Sequence, residues 1–281
     1  MMQFDVKSLR VSFPDSARKR LFKPVPMIEV LHGVSFQVAR GDSIGIVGES
    51  GSGKSTLARA LLRLSETSGG SICFEGQELI GLSEHELRPL RRRMQIIFQD
   101  SQSALNPRLT VGSIVAEPLI SNGLVKSSAQ ARDKAVELLE LAGLSESFSK
   151  RYAHQLSGGQ RQRVGIARAL ALNPEVIVAD EIVSGLDVSV QAQLLQLLDK
   201  LRKDRGLTLL LISHDLSVVR ATCEKVIVMR GGDIVENGMT NEVFEHPHQK
   251  YTQRLLRAIP LPDVDPTWIH RVQLEESAEP A

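Results

Sequence analysis

The stretch SIGIVGESGSGKST, residues 43–56, constrains the fold more than any other part of the chain. It begins as a short apolar run, the pattern of a strand buried on both faces. It ends in KSTLARALLRL, whose apolar residues recur on a helical period. Between them, Gly48, Gly51 and Gly53 lie in the turn that must convert strand to helix. The spacing G-x-x-x-x-G-K-[S/T] in strand–turn–helix context is that of a loop that cradles phosphates. Glycines let backbone N–H groups point inward as a nest, and the helix N-terminus adds positive partial charge. Lys54 supplies a mobile cation for β- and γ-phosphates, and Ser55 a hydroxyl for Mg²⁺. Gly48, Glu49, Ser50, Gly51, Ser52, Gly53, Lys54, Ser55 and Thr56 are therefore the candidate ATP contacts.

Further runs rich in Val, Ile and Leu follow: QIIFQ (95–99), EVIVAD (175–180), LTLLLISH (207–214) and KVIVMR (225–230). Helical patterns lie between several of them, including SVQAQLLQLLDKLRKDRG and SHDLSVVRATC. Alternating strand and helix predicts an α/β core on a parallel sheet. The N-terminal part, including GGSICFEGQEL, reads as added antiparallel β-structure. Residues 100–170 break the alternation with helical segments such as SSAQARDKAVELLELAGL, which predicts a helical insertion. The expected organisation is an ATPase core with its β subdomain over 1–98 and 166–240, an inserted helical subdomain over 99–165, and a C-terminal extension over 241–281 whose last ten residues are loosely held.

Bulk properties exclude some classes. A formal net charge of +1 gives no global field for nucleic acid or anionic lipid. Cys73 and Cys223 lie far apart, with neither metal spacing nor a disulfide framework, as suits a reducing cytosol. No apolar run approaches the roughly 18 residues needed to span a bilayer. The start, MMQFDVKSLRVSF, alternates like a strand and lacks the apolar block of a signal peptide.

Polar groups end three of the buried runs. Asp180 is placed to hold Mg²⁺, and the adjacent Glu181 to polarise an attacking water. His214 closes LTLLLIS, where α/β folds bind ligands, and Gln99 closes QIIFQ, where it can touch Mg²⁺ or water. The segment LSGGQRQR (156–163) reads as a helix start: Ser157 as N-cap and Gln160 completing a capping box. Gly158 and Gly159 are poor residues for a first turn, at roughly 1 kcal/mol each relative to alanine.

Taken in order, GESGSGKST, IIFQD, LSGGQ, VIVADE and LLISHD resemble the ATP-binding subunit of ABC transporters over about residues 4–260. The resemblance implies an α/β P-loop NTPase core of the RecA-like kind, with an N-terminal antiparallel β subdomain and an inserted helical subdomain. It implies two subunits paired head to tail, each ATP lying between the phosphate loop of one and Ser157, Gly158, Gly159 and Gln160 of the other. Gln99, Glu181 and His214 then become the catalytic set, with Glu181 the base; Ser55, Gln99 and Asp180 attend Mg²⁺. Phe13 is the candidate for stacking on adenine, with Phe22 second, and Ser184–Asp187 is the loop passing between the two ATP sites.

FQDSQSALNPRLTVGSIVAEPL, DVSVQAQLLQLL and the tail HPHQKYTQRLLRAIPLPDVDP resemble oligopeptide, dipeptide and nickel importers, most of all the second ATPase subunit of the oligopeptide type. This implies a paralogous second ATPase and two integral membrane permeases docking near Gln99 to Pro118. It further implies an extracytoplasmic solute-binding protein reached indirectly, and a position on the cytoplasmic face of a bacterial inner membrane. A nickel or glutathione-like solute is the alternative cargo. A soluble ABC ATPase of DNA repair or translation is the alternative of another class; the absence of a heptad insert or basic excess counts against it. A P-loop kinase would not need LSGGQ. The chain departs from the family at Ile182, usually proline, at Gly185, usually alanine, and at Ala153, commonly proline. With no cysteine after Cys223, no iron–sulfur cluster is expected, nor is a nucleic-acid partner.

Overall fold

The computed structural model describes residues 2–15, 25–99 and 104–258. In chain order its strands and helices are β1 (Met2–Pro14), β2 (Met27–Ala39), β3 (Ser43–Val47), α1 (Lys54–Leu61), β4 (Gly69–Phe74), β5 (Gln77–Glu78), α2 (Glu84–Arg93) and β6 (Met94–Ile97). There follow α3 (Val111–Ser121), α4 (Ser128–Leu141), two 3₁₀ turns (Glu146–Lys150 and Ala153–Gln155), α5 (Gly158–Leu170), β7 (Val176–Asp180), α6 (Val188–Arg205) and β8 (Thr208–Ile212). The chain then runs through α7 (Leu216–Thr222), β9 (Lys225–Arg230), β10 (Asp233–Met239), α8 (Thr240–Glu245) and α9 (Lys250–Ala258). It divides into two compact units: among the described residues, 2–91 with 210–258, and 92–209.

In the first unit, β1 pairs antiparallel with β2 and with β4, giving the order β2-β1-β4-β5. The inward residues of β1, Phe4, Val6, Leu9 and Val11, are at most 1% exposed. Their alternation slips by one position at Ser8, where φ is 47° and the register shifts. The other sheet of this unit runs β10-β9-β3-β8, with β3 and β9 parallel and β10 antiparallel on β9. Every residue of β3 is buried, as its unbroken apolar run requires. The edge strand β10 escaped the sequence reading because DIVENGM has no fully buried position and so no apolar run.

In the second unit, β6 and β7 pair in parallel, with Met94 opposite Val176 and Ile97 opposite Ala179. Their starts are tied by the amide of Glu175 donating to the Arg93 carbonyl (2.8 Å), and by the Arg93 guanidinium on the Glu175 carboxylate (2.6 and 3.0 Å). Helices α3, α4 and α5 pack on one another, and Ile114, Val115, Ala135, Leu139, Val164 and Ile166 are among their buried residues. Among the described residues of 104–170 the only strand-like feature is an isolated bridge between Thr110 and Tyr152.

Candidate functional site

In the first unit, β3 ends at Val47 and the chain turns through Gly48, Gly51 and Gly53, with φ of 148°, 79° and 100°, into α1. A Cβ at Gly48 would lie 2.1 Å from the Met229 carbonyl oxygen, so no other residue fits there. The loop folds back on itself, the Ser52 amide donating to the Glu49 carbonyl at 3.2 Å. Lys54 is only 5% exposed, and its ammonium donates to the carbonyls of Gly48 and Glu49, both at 2.8 Å. Helix α1 starts without a side-chain cap, and the buried Ser52 hydroxyl has no partner. A helix N-terminus with no side-chain cap, an unpartnered hydroxyl and a buried ammonium form the donor set that a polyphosphate takes.

Phe13 lies at the end of β1, opposite Ile28 of β2, and is 40% exposed, leaving an aromatic surface open to stacking. Phe22 lies outside the described residues. His214 is exposed just after β8. It is flanked by buried Ser213 and by Asp215, which caps α7 by accepting from the Ser217 and Val218 amides (2.8 and 3.4 Å).

In the second unit, β7 delivers Asp180, 3% exposed, and the chain then turns at Glu181 with φ at 48°. A non-glycine residue in the left-handed region at such a point stores backbone strain. The Glu181 carboxylate accepts from the Gln99 side-chain amide at 2.7 Å. The Gln99 carbonyl in turn accepts from the side-chain amide of Gln162 at 3.1 Å. Gln162 is 4% exposed on α5, and its side-chain oxygen has no partner. The sequence reading missed Gln162, although it shares the buried stripe of α5 with Gly159 and Ile166 and is the one polar side chain of the three.

Ser157 caps α5 as expected: its hydroxyl accepts from the Gln160 amide (3.3 Å), and the Gln160 side chain accepts from the Ser157 amide (3.0 Å). Gly159, which the resemblance implies meets a partner's ATP, also has a cause inside its own chain. A Cβ there would lie 2.4 Å from Cγ1 of Val190, where α5 meets the start of α6. Ile182, in the usual proline position, is fully buried, and Gly185 has φ of 74°, which an alanine adopts only with strain.

A groove of about 270 Å³ opens in this unit, lined by Gln95, Phe98, Glu117, Asn122, Gln162 and Arg168 among others. Gln162 thus faces the groove and holds the residue that holds Glu181. Among the described residues no group of three or more His, Cys, Asp or Glu could hold a metal ion. Mg²⁺ asks for no such cage, since it is commonly bound by one or two carboxylates with substrate phosphates.

A glycine-rich loop closing on a buried lysine, a strand-end Asp-Glu pair and a capped LSGGQ helix, on this fold, define a P-loop ATPase of the ATP-binding-cassette type. Residues 31–184 match the family model described as ABC transporter, and the chain belongs to that family. It is similar to the oligopeptide transport ATP-binding protein OppF of Bacillus subtilis, at 45% identity over 249 residues, 88% of this chain and 82% of that one. Among solved structures, it is similar to the ATP-binding cassette MJ0796, a dimer in a post-hydrolysis state bound to ADP and Pi. The TM-score is 0.73 at 33% identity, covering 84% of this chain and 98% of that one. It is also similar to cbiO1 of Clostridium perfringens, part of the transporter complex cbiONQ, with a TM-score of 0.75 at 26% identity, covering 98% and 99% of the two chains. No helix among the described residues is long and apolar enough to cross a membrane.

Proposed function

We propose that this chain is the ATP-hydrolysing subunit of a membrane importer for oligopeptides or dipeptides, seated on the cytoplasmic face of a bacterial inner membrane. The observation that carries this reading is the hydrogen-bonded line from the groove through Gln162 and Gln99 to Glu181. A transporter ATPase must sense its membrane partner at the residue that does the chemistry, and this line would join the groove, if a permease docks there, to a carboxylate. The peptide class follows from the similarity to OppF, a protein named for oligopeptide transport.

In this reading, Lys54 and the amides of Gly48–Thr56 hold the β- and γ-phosphates, and Phe13 stacks on adenine. Ser55, Gln99 and Asp180 would hold Mg²⁺, which neutralises charge developing on the phosphates. Glu181 takes the proton of the attacking water, and His214 orients that water against the γ-phosphate. Ser157–Gln160 of each subunit contact the nucleotide of the other in a head-to-tail dimer, so ATP favours the closed pair through its greater affinity for it. Permease subunits dock near Gln99 to Pro118, at the groove that Glu117 and Pro118 help to line.

The test is solute uptake by cells lacking this chain. Labelled oligopeptides should fail to accumulate, and expression of the wild type but not of Glu181→Gln should restore them. Loss of nickel uptake with peptide uptake intact would overturn the peptide assignment.

A further inference from the structure

The phosphate loop is gripped by the C-terminal part of the first unit. The amide of Gly232, in the β9–β10 turn, donates to the Ser52 carbonyl at 3.1 Å. The amide of Glu49 donates to the hydroxyl of Tyr251, on α9, at 3.1 Å. Tyr251 is itself fixed. It is 6% exposed, and the Arg230 guanidinium lies 5.1 Å from its ring centroid. The segment leading into α9 is pinned to β10, where the Glu236 carboxylate accepts from the amides of His248 (2.8 Å) and Gln249 (3.3 Å).

We propose that Tyr251 is a positioning residue of the ATP site, its hydroxyl holding the Glu49 amide and thereby the shape of the phosphate loop. A loop containing three positive-φ glycines has many conformations open to it, and its anion-binding shape must be imposed from outside. The acceptor chosen for Glu49 is neutral. A carboxylate in that place would satisfy the amide equally well but would repel a triphosphate. Lys54 donates to the Glu49 carbonyl. When the ammonium turns towards a phosphate it must share or leave that carbonyl, and Glu49 then depends more on Tyr251.

The inference rests on Gly48–Thr56 being the ATP loop, which Lys54→Ala tests separately. The full chain is compared as wild type, Tyr251→Phe, Thr252→Val and Lys54→Ala, measuring affinity for ATP and for ADP, thermal midpoint, and the KM and kcat of hydrolysis. Tyr251→Phe keeps the ring and its contact with Arg230 and removes only the acceptor. It should weaken ATP and ADP by the same factor, about threefold to tenfold, the scale of one net hydrogen bond. KM should rise with kcat within about twofold, and the thermal midpoint should fall by no more than about 5 °C, the scale of one hydrogen bond. Thr252→Val alters the next residue, 1% exposed, and should leave affinity unchanged. Lys54→Ala should lose at least about tenfold in affinity.

If Tyr251→Phe binds both nucleotides like the wild type while Lys54→Ala does not, Tyr251 only packs and the proposal fails. It fails equally if Thr252→Val reproduces the loss, or if kcat falls while affinity is kept. If Lys54→Ala also binds like the wild type, the reading of the loop itself fails first.

Discussion

The side-chain amide of Gln99 donates to the carboxylate of Glu181 across 2.7 Å. The two residues lie 82 positions apart and are brought together because each closely follows one of a pair of parallel strands, β6 and β7. A carboxylate offers about four lone-pair sites, so the amide of Gln99 orients Glu181 while taking up only one of them. The left-handed φ of 48° at Glu181 fixes the other end of the geometry.

Replacing Glu181 by Gln keeps the shape and removes the carboxylate proposed as the base. ATP binding should persist, hydrolysis should fall about 10²- to 10⁴-fold, and the ATP-bound dimer should accumulate. Single-turnover hydrolysis and size-exclusion chromatography with ATP measure both. Wild-type turnover in this variant would remove Glu181 from the role of base.

Gln162 separates stability from coupling. Gln162→Leu loses the bond to the Gln99 carbonyl but also removes a buried oxygen that has no partner. These effects oppose, so unfolding free energy should change by less than about 1 kcal/mol. If the groove is coupled to Gln99 through this bond, as proposed, stimulation of hydrolysis by the assembled membrane complex should nevertheless drop. Chemical denaturation and complex-stimulated ATPase rates give the two readouts, and undiminished stimulation would break the proposed line.

His32 gives the fold a modest pH dependence. Its Nδ1 lies 3.2 Å from an Asp233 carboxylate oxygen, and that hydrogen bond raises the imidazole pKa above its ordinary 6.5. A group raised in the folded state contributes fully below the unfolded value, and its contribution is lost as pH rises through the folded value. Both side chains are well exposed, 39% and 58%, so the effect should stay under about 1 kcal/mol. His32→Gln should therefore lower stability relative to wild type near about pH 5.5 and match it near about pH 8.5. Denaturant titrations at the two pH values decide it; an equal difference at both would assign the loss to packing.

The parts legible in the sequence are those where one local rule dominates. Buried strands β3, β7 and β8 announce themselves as unbroken apolar runs, and the phosphate loop as glycines at fixed spacing before Lys-Ser. The capping box of Ser157 and Gln160 is equally local. What escaped depends on distant neighbours. Nothing near Tyr251 tells that its hydroxyl meets Glu49, 202 positions away, and nothing in QRQR tells which glutamine is buried. The same holds for β10, whose half-exposed residues carry no period that separates an edge strand from a loop.

Gly159 shows how such a distant neighbour changes an experiment. A substitution there to test contact with a partner's phosphate would first collide with Val190 of the same chain, since even a Cβ would lie 2.4 Å from its Cγ1. Gly159→Ala should therefore cost about 1–3 kcal/mol of stability, the usual scale of overpacking. Val190→Ala removes the opposing methyl groups, so the double variant should recover most of that loss although each single change destabilises. That non-additivity is the signature of direct contact, and thermal or denaturant unfolding of the four proteins measures it. If the double variant recovers stability but still fails to dimerise with ATP, the glycine serves both its own fold and its partner's nucleotide. If dimerisation returns with stability, packing against Val190 accounts for Gly159, and the partner's phosphate needs only Ser157, Gly158 and Gln160.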